Sequence, residues 1–319
     1  MSDHDAPIGL LLMAYGGPDS LDDIEPYLLD IRGGRPTSRE LVAEITERYA
    51  HIGGRSPILD ITCQQAQALE AELNRASAVR FRAYVGMRHW QPRIKEAVAQ
   101  MAGDGVKRGV ALVMAPHYSR MSIGAYHQRL DEAIQDVGAN ITFARIESWH
   151  NYPGFIAALA EKASQALQRF SEDGGDQLPK VIFSAHSLPV RILKTGDPYD
   201  AQLHETASLL AERLNLPPDR WLFSYQSAGQ SSEPWLGPPI EDVIVELAEA
   251  GERRLLVVPI GFVCDHVEIL YDLDIESRQL AEAHGAHLER SESLNASPTF
   301  IAALADLVRS EMGRLKSDE

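Results

Sequence analysis

Runs of consecutive apolar residues alternate along the whole chain with stretches of helical periodicity. Ile8–Tyr15 (IGLLLMAY), Arg80–Met87 (RFRAYVGM), Gly109–Pro116 (GVALVMAP) and Ile141–Ile146 read as strands in the first half. Val181–Ala185, Trp221–Tyr225, Leu255–Phe262 and His287–Ser291 read as strands in the second. Near-continuous apolar runs of this length are expected of parallel strands buried on both faces. Between them, Leu41, Ile45, Tyr49 and Ile52 form the apolar stripe of a helix that starts at Thr37 or Ser38 and is closed by Gly53. Thr62 with Gln65 predicts a capping box for a helix running to Asn74. Pro92 marks the start of another, and Pro26 sits in the first turn of a helix over 21–31. Further helices are predicted to about Val137, from Pro153 to Phe170, and near 201–214, 239–250, 267–284 and 297–315.

Strand–helix alternation in two sets of four predicts an α/β chain of two similar Rossmann-like domains, each a four-stranded parallel sheet flanked by helices. The expected domains are 1–150 and 151–319, with helix 297–315 free to pack back on the first, and SEDGGDQLP is the clearest linker. Right-handed crossovers put every strand's carboxyl end on one side of its sheet. Tyr15, His117, His186, Tyr225 and the residues after Phe262 are therefore expected to face an active-site cleft between the domains.

Composition narrows the function classes. At 319 residues with 45% hydrophobic and 24% charged content, the chain is of the soluble globular kind. A formal charge of −16 disfavours nucleic acid and anionic membranes as partners. Cys63 and Cys264 are the only cysteines, too few for a disulfide framework or an iron–sulfur cluster, and Cys264 reads as a small buried hydrophobe. The opening MSDHDAPIGLLLMAYGG lacks a basic leader and no apolar run could span a bilayer, so a cytoplasmic location is expected. Phosphate-binding glycine motifs, a nucleophile-elbow serine and a paired-histidine zinc helix are all missing from the sequence.

Three stretches carry candidate chemistry. In Val181–Pro189 (VIFSAHSLP) an apolar strand breaks at His186, where an imidazole can act as a base, a metal ligand or a hydrogen-bonded structural residue. In Val258–Glu276 (VPIGFVCDHVEILYDLDIE), Glu268, Asp272 and Glu276 recur at steps of four. On a helix they line one face, drifting slowly around it, with Asp265 and Asp274 adding charge nearby. Such a ladder is often only a solvated face. Beginning at a strand end, it also makes an oxygen-rich site with one imidazole, suited to Fe²⁺ or Mg²⁺. Tyr15, Tyr49, Tyr126, Trp221, Tyr225 and Trp235 with Arg32, Arg48 and Arg129 describe walls and cations for a large planar ligand bearing carboxylates.

With these stretches in view the chain resembles the ferrochelatases over essentially its full length. The matching segments are LLMAYGGP, RGGR, RYAHIGGRSPI, APHYS, FSAHSLP, HETA, PWLGP and VVPIGFVCDHVEILYDLDIE. The resemblance implies a chelatase-like fold and a lyase of haem biosynthesis that inserts Fe²⁺, its substrate metal, into a porphyrin without ATP. By motif it implies that His186 and Glu268 face the metal and the pyrrole nitrogens. Asp272 and Glu276 match an acidic track, which could also hold Mg²⁺. Arg32, Arg48, Tyr49, Ser56 and Tyr126 match positions that hold the macrocycle or its propionates. Tyr15 matches a tyrosine that approaches the iron in the coproporphyrin III branch. Leu28 stands where some relatives carry a second tyrosine, and the ending LKSDE lacks the cysteine of relatives that bind a [2Fe–2S] cluster. A soluble monomer with no tightly bound cofactor is therefore expected. Its rivals are a protoporphyrin IX ferrochelatase, a sirohydrochlorin or cobalt chelatase, and a non-catalytic porphyrin carrier.

Overall fold

The computed structural model describes residues 6–75, 77, 79–172, 178–229 and 233–317. All eight apolar runs form strands with ends shifted by up to three residues; the run Val181–Ala185 extends on to His186 and Trp221–Tyr225 on to Gln226, while the others end at or before their predicted limits. β1 (Ile8–Ala14), β2 (Phe81–Met87), β3 (Arg108–Val113) and β4 (Thr142–Ile146) pair in parallel in the order β2-β1-β3-β4. β5 (Lys180–His186), β6 (Trp221–Gln226), β7 (Arg254–Pro259) and β8 (His287–Arg290) pair in parallel in the order β6-β5-β7-β8. The two sheets thus share one topology, with the strand order reversing between β1 and β3 and again between β5 and β7. At such a reversal the crossovers leave to opposite faces, which opens a crevice at the carboxyl ends of the two strands.

The chain divides into two compact units. One holds β1–β4 together with the chain from Asn295 onward, and the other, His150–Leu294, holds β5–β8. In the first, Leu11, Met13 and Val113 pack against Val98 and Met101 of helix Ile94–Gly103 and Leu130 of helix Ile123–Val137. The last helix, Pro298–Ser317, packs on helix Ile58–Arg75 and on β3 and β4, with Phe300 stacked on Trp149 at 6.0 Å. In the second unit, Ile182, Leu255 and Val257 meet Ile240 and Ile244 of helix Ile240–Glu249, together with Ile269 and Leu273. Each such side chain taken from water contributes roughly 1.5–3 kcal/mol, so these apolar layers fix where the strand ends lie.

Several local expectations hold for the predicted reason. Ser38 caps helix Arg39–His51, its Oγ accepting from the Leu41 amide at 3.2 Å, and Gly53 follows with φ +103°. Pro26 lies in the first turn of helix Ile24–Ile31, which a 3₁₀ turn precedes. Thr62 is not a cap. Its helix begins a turn earlier, at Ile58, and its hydroxyl donates to the Ile58 carbonyl at 2.6 Å. A hydroxyl satisfies a carbonyl four residues back as readily as it caps, so the sequence pattern alone is ambiguous. The predicted linker falls mainly on residues 173–177, outside the described residues. Among the described residues no helix is long and apolar enough to cross a membrane.

The largest departure is the helix expected over 267–284. It is an α-helical turn (Val267–Leu270), a π-helical segment (Asp272–Ser277) and a second α-helical stretch (Arg278–Ala283). Glu276 N–H reaches back five residues to the Tyr271 carbonyl at 3.0 Å. Such wide turns recur at functional sites.

Close packing behind the β5 end is tested at Gly261, just past β7. Its amide donates to the Ser184 carbonyl at 3.2 Å, and a Cβ there would lie 2.6 Å from Ala185 Cβ and 3.0 Å from Ala185 Cα. Gly261→Ala is expected to destabilise the protein by about 1–3 kcal/mol. Denaturant unfolding checks this, and an unchanged midpoint would contradict it.

Candidate active site

β5 is buried from Val181 to Ala185, and His186 is its first residue to emerge, with a third of its side chain exposed. The chain leaving β7 turns at Gly261 and starts a helix at Val267. His266 caps that helix, its Nδ1 accepting from the Glu268 amide at 3.2 Å. Burial keeps His266 below its usual pKa, so it is the neutral acceptor the cap needs. Glu268 thereby projects from one side of the β5–β7 reversal and His186 from the other. Their Nδ1 and Oε2 atoms lie 3.0 Å apart.

An ionised carboxylate only accepts, so His186 Nδ1 carries the proton in this bond and Nε2 is left for a ligand. Burial by itself would depress the imidazole, but the charge and hydrogen bond of Glu268, with Asp272 beyond, raise its pKa above 6.5. Burial likewise works to raise Glu268, and the facing His186 overturns it, so the carboxyl is held below 4.5. The two groups stabilise each other's charged form.

The acidic residues fall into two sets. Arg290 on β8 binds Asp274 through two contacts of 2.8 Å, and Asp265 lies 3.5 Å from it and accepts from Ser293 Oγ at 2.6 Å, so one guanidinium serves both carboxylates. Asp272 instead accepts from the Ser227 hydroxyl at 2.5 Å. A step of four overshoots a full turn in an α-helix and falls short of one in the π-helical segment. The drift from Glu268 to Asp272 is therefore opposed between Asp272 and Glu276. Among the described residues no three His, Cys, Asp or Glu side chains gather into a metal-binding group. His186 and Glu268 are in contact, and Asp272 and Glu276 follow Glu268 at four-residue steps along the chain.

Buried polar groups that the sequence pattern did not reveal surround the His186–Glu268 pair. Gln226, at the end of β6, accepts from Ser184 Oγ at 2.7 Å and donates to the Glu268 carbonyl at 2.8 Å. Tyr199 donates its hydroxyl to the His186 carbonyl at 2.9 Å, and the Trp235 ring meets the His186 ring edge-on at 6.4 Å. Tyr225, expected at an open wall, is buried with its hydroxyl donating to Asp200. Cys264 is buried, which pushes its thiol up to about 12.

The remaining predicted residues lie in the first unit on separate elements. Tyr15 follows β1 with 42% of its surface exposed, and its ring packs on His89 at 4.7 Å. His89 bonds Asp30 through Nδ1 at 3.0 Å, and burial beside Arg88 lowers its pKa to about 4. Ser56 is buried against Gly17 in the turn after Tyr15, and its amide donates to the Pro18 carbonyl at 2.8 Å. Arg32 is exposed at the end of helix Ile24–Ile31. Arg48 pairs with Glu44 at 3.1 Å, while Tyr49 and Tyr126 are buried. The guanidinium of Arg88 lies over the Tyr126 ring at 5.4 Å. Arg129, a further expected cation, pairs with Glu132 on the surface. His117 is buried, and Leu28 is a core residue beside Tyr27.

A family model described as Ferrochelatase matches residues 7–312. The chain is 46% identical over 303 residues to a ferrochelatase of Deinococcus radiodurans, covering 95% of each chain. It is 43% identical over 303 residues to a coproporphyrin III ferrochelatase of Geobacillus sp. (strain WCH70), covering 94% of this chain and 96% of the relative. The Bacillus subtilis (strain 168) coproporphyrin III ferrochelatase is 40% identical over 309 residues, covering 96% and 98%. Among solved structures, the sirohydrochlorin chelatase SirB from Bacillus subtilis subspecies spizizenii shares the fold, with a TM-score of 0.56 at 11% identity, covering 96% of this chain and 95% of that one.

The coupling of His186 to Glu268 has a measurable sign. Glu268→Gln removes the main group raising the imidazole and leaves burial in control, so the His186 pKa should fall below 6.5. NMR titration of the imidazole reads this; an unmoved midpoint would contradict the pairing. A raised His186 stabilises the fold fully below pH 6.5 and loses that contribution as pH rises through its folded value. A depressed Glu268 stabilises above pH 4.5 and loses its contribution as pH falls through its folded value. The stability deficit of Glu268→Gln should therefore be largest between about pH 4.5 and 6.5.

Proposed function

The chain belongs to the ferrochelatase family, whose members insert metal into porphyrin, and from that premise we propose that it inserts Fe²⁺ into coproporphyrin III to give coprohaem, without ATP. The observation that carries the proposal is the 3.0 Å His186–Glu268 pair, half-open at the carboxyl ends of β5 and β7.

The reaction needs little more than proton and water management. A free-base porphyrin gives up two pyrrole protons for each iron it takes, and the hydrated dication sheds its water. In its neutral form His186 takes one pyrrole proton at Nε2, and the second passes to water. The imidazolium so formed is held by Glu268, whose charge already favours it, so the pair is preorganised for the charge that develops. Asp272 and Glu276 exchange hydration water for carboxylate oxygen and pass the cation toward Glu268. A file of carboxylates suits this better than a closed cage would, because a substrate metal must leave as easily as it arrives.

Support for coproporphyrin comes from Tyr15, which keeps the residue type expected in that branch and is exposed after β1. Relatives at 40% and 43% identity carry the coproporphyrin III name. Coproporphyrin bears more carboxylates than protoporphyrin, and Arg32, Arg48, Ser56, Tyr49 and Tyr126 are the residues assigned to hold the macrocycle and its propionates. Binding energy spent on those groups can bend the ring toward the geometry in which a nitrogen lone pair points at the metal. The enzyme is read as a cytoplasmic monomer with no resident cofactor or cluster.

His186→Ala should lower iron insertion by about 10²–10⁴-fold while leaving porphyrin binding, followed by fluorescence, within a few-fold. Unchanged turnover would overturn the assignment of His186. Asp272→Ala should raise the KM for Fe²⁺ well above any change in the KM for porphyrin, and an unchanged iron KM would remove the carboxylate file from the mechanism.

A further inference from the structure

In the first unit, three pieces of chain meet on one carboxylate. Asp30 lies in the last turn of helix Ile24–Ile31, where the helix dipole disfavours negative charge. Two neighbours offset that cost: His89 Nδ1 lies 3.0 Å from one carboxylate oxygen, and an Arg93 nitrogen lies 2.9 Å from the other. An ionised carboxylate only accepts, so the His89 proton sits on Nδ1 and the hydrogen bond aims the ring. The loop carrying His89 is itself fixed. The Arg88 and His89 amides donate to the Ala14 and Tyr15 carbonyls at 2.9 Å, and the Arg93 amide donates to the Glu96 carboxylate at 2.9 Å. Gly16, at φ +94°, turns so close to this loop that a Cβ there would lie 2.9 Å from the Trp90 nitrogen. The Tyr15 backbone is thus held on both sides, which leaves its two side-chain torsions to be set. The ring that Tyr15 leans on, at 4.7 Å and 47°, is His89.

We propose that Asp30 is a positioning residue for Tyr15: by tethering His89 it sets the ring against which the Tyr15 phenol lies, and so the direction in which that hydroxyl meets a bound porphyrin. This rests on the coproporphyrin reading, in which Tyr15 approaches the iron. An exposed phenol on two torsions samples several rotamers, and selecting one in advance removes that cost from the reacting complex. Arg93, on the second oxygen, keeps the carboxylate turned toward His89.

Asp30→Asn is the direct test, since an amide has one acceptor oxygen and cannot serve both His89 and Arg93. His89→Phe keeps a ring behind Tyr15 and cuts the tether. Each is made in the parent and in Tyr15→Phe, and initial rates of Fe²⁺ insertion into coproporphyrin III are measured anaerobically against each substrate. In the parent, both substitutions are expected to lower kcat/KM for coproporphyrin III about tenfold, with the iron KM within about twofold. In Tyr15→Phe, which has no hydroxyl left to aim, the same substitutions should change kcat/KM by less than about twofold. A carboxylate with only a structural role would cost the same in both backgrounds. Unchanged kcat/KM in the parent, equal losses in both backgrounds, or an iron KM that rises as far as kcat/KM falls would each overturn the proposal. A parent enzyme that puts no iron into coproporphyrin III would overturn the functional reading and this inference together. An active parent with unaffected variants would overturn only the inference.

Discussion

The site depends on a hydrogen-bonded imidazole–carboxylate pair placed across a reversal of strand order. His186 ends β5 and Glu268 comes from the helix after β7. Between those neighbouring strands the crossovers part, so an imidazole and a carboxylate can meet at a strand end that is still open to a ligand. Burial opposes charge on both groups, and each partner favours the charged form of the other. Such a pair adds little to stability when desolvation is weighed against attraction, whereas removing one partner leaves a costly lone charge. Its value lies in holding a proton acceptor beside a metal-seeking carboxylate.

Everything around the pair serves its geometry. Two-sided burial of β5 and β7 fixes the height at which each strand ends, and Gly261 lets the chain leaving β7 run against Ala185. Neutral donors and acceptors then set the fine positions: Gln226 on the Glu268 carbonyl, Tyr199 on the His186 carbonyl and Ser227 on Asp272. Arg290 holds Asp274 and Asp265 to one side. The wide turn over Asp272–Ser277 sets how the remaining carboxylates follow one another. The result is a graded path, in keeping with a metal that is cargo.

The strands and their order of appearance were legible because a parallel strand covered on both faces cannot hide its apolar run. His186 was legible as the polar break in one of those runs, and the carboxylate ladder as a repeat of four. What that repeat meant in space was not legible. A four-residue period suits an α-helix and a π-helical turn alike, and only the Glu276 amide bonding to Tyr271 distinguishes them. Which acids Arg290 engages was also hidden, since it lies on β8, 16 residues from Asp274 in the helical segment. Gln226 and Ser227 were missed for the same reason, their partners being 42 and 45 residues away. Burial of Tyr225 and His117 shows the limit of reasoning from strand ends: a residue at the right edge can still point into the core.

Anaerobic insertion of Fe²⁺ by the purified protein, followed by absorbance with coproporphyrin III and protoporphyrin IX side by side, tests the central claim most directly. The account predicts insertion with a strong preference for coproporphyrin III in kcat/KM. Tight binding of either porphyrin with no metal inserted, under conditions where the protein is folded, would contradict it.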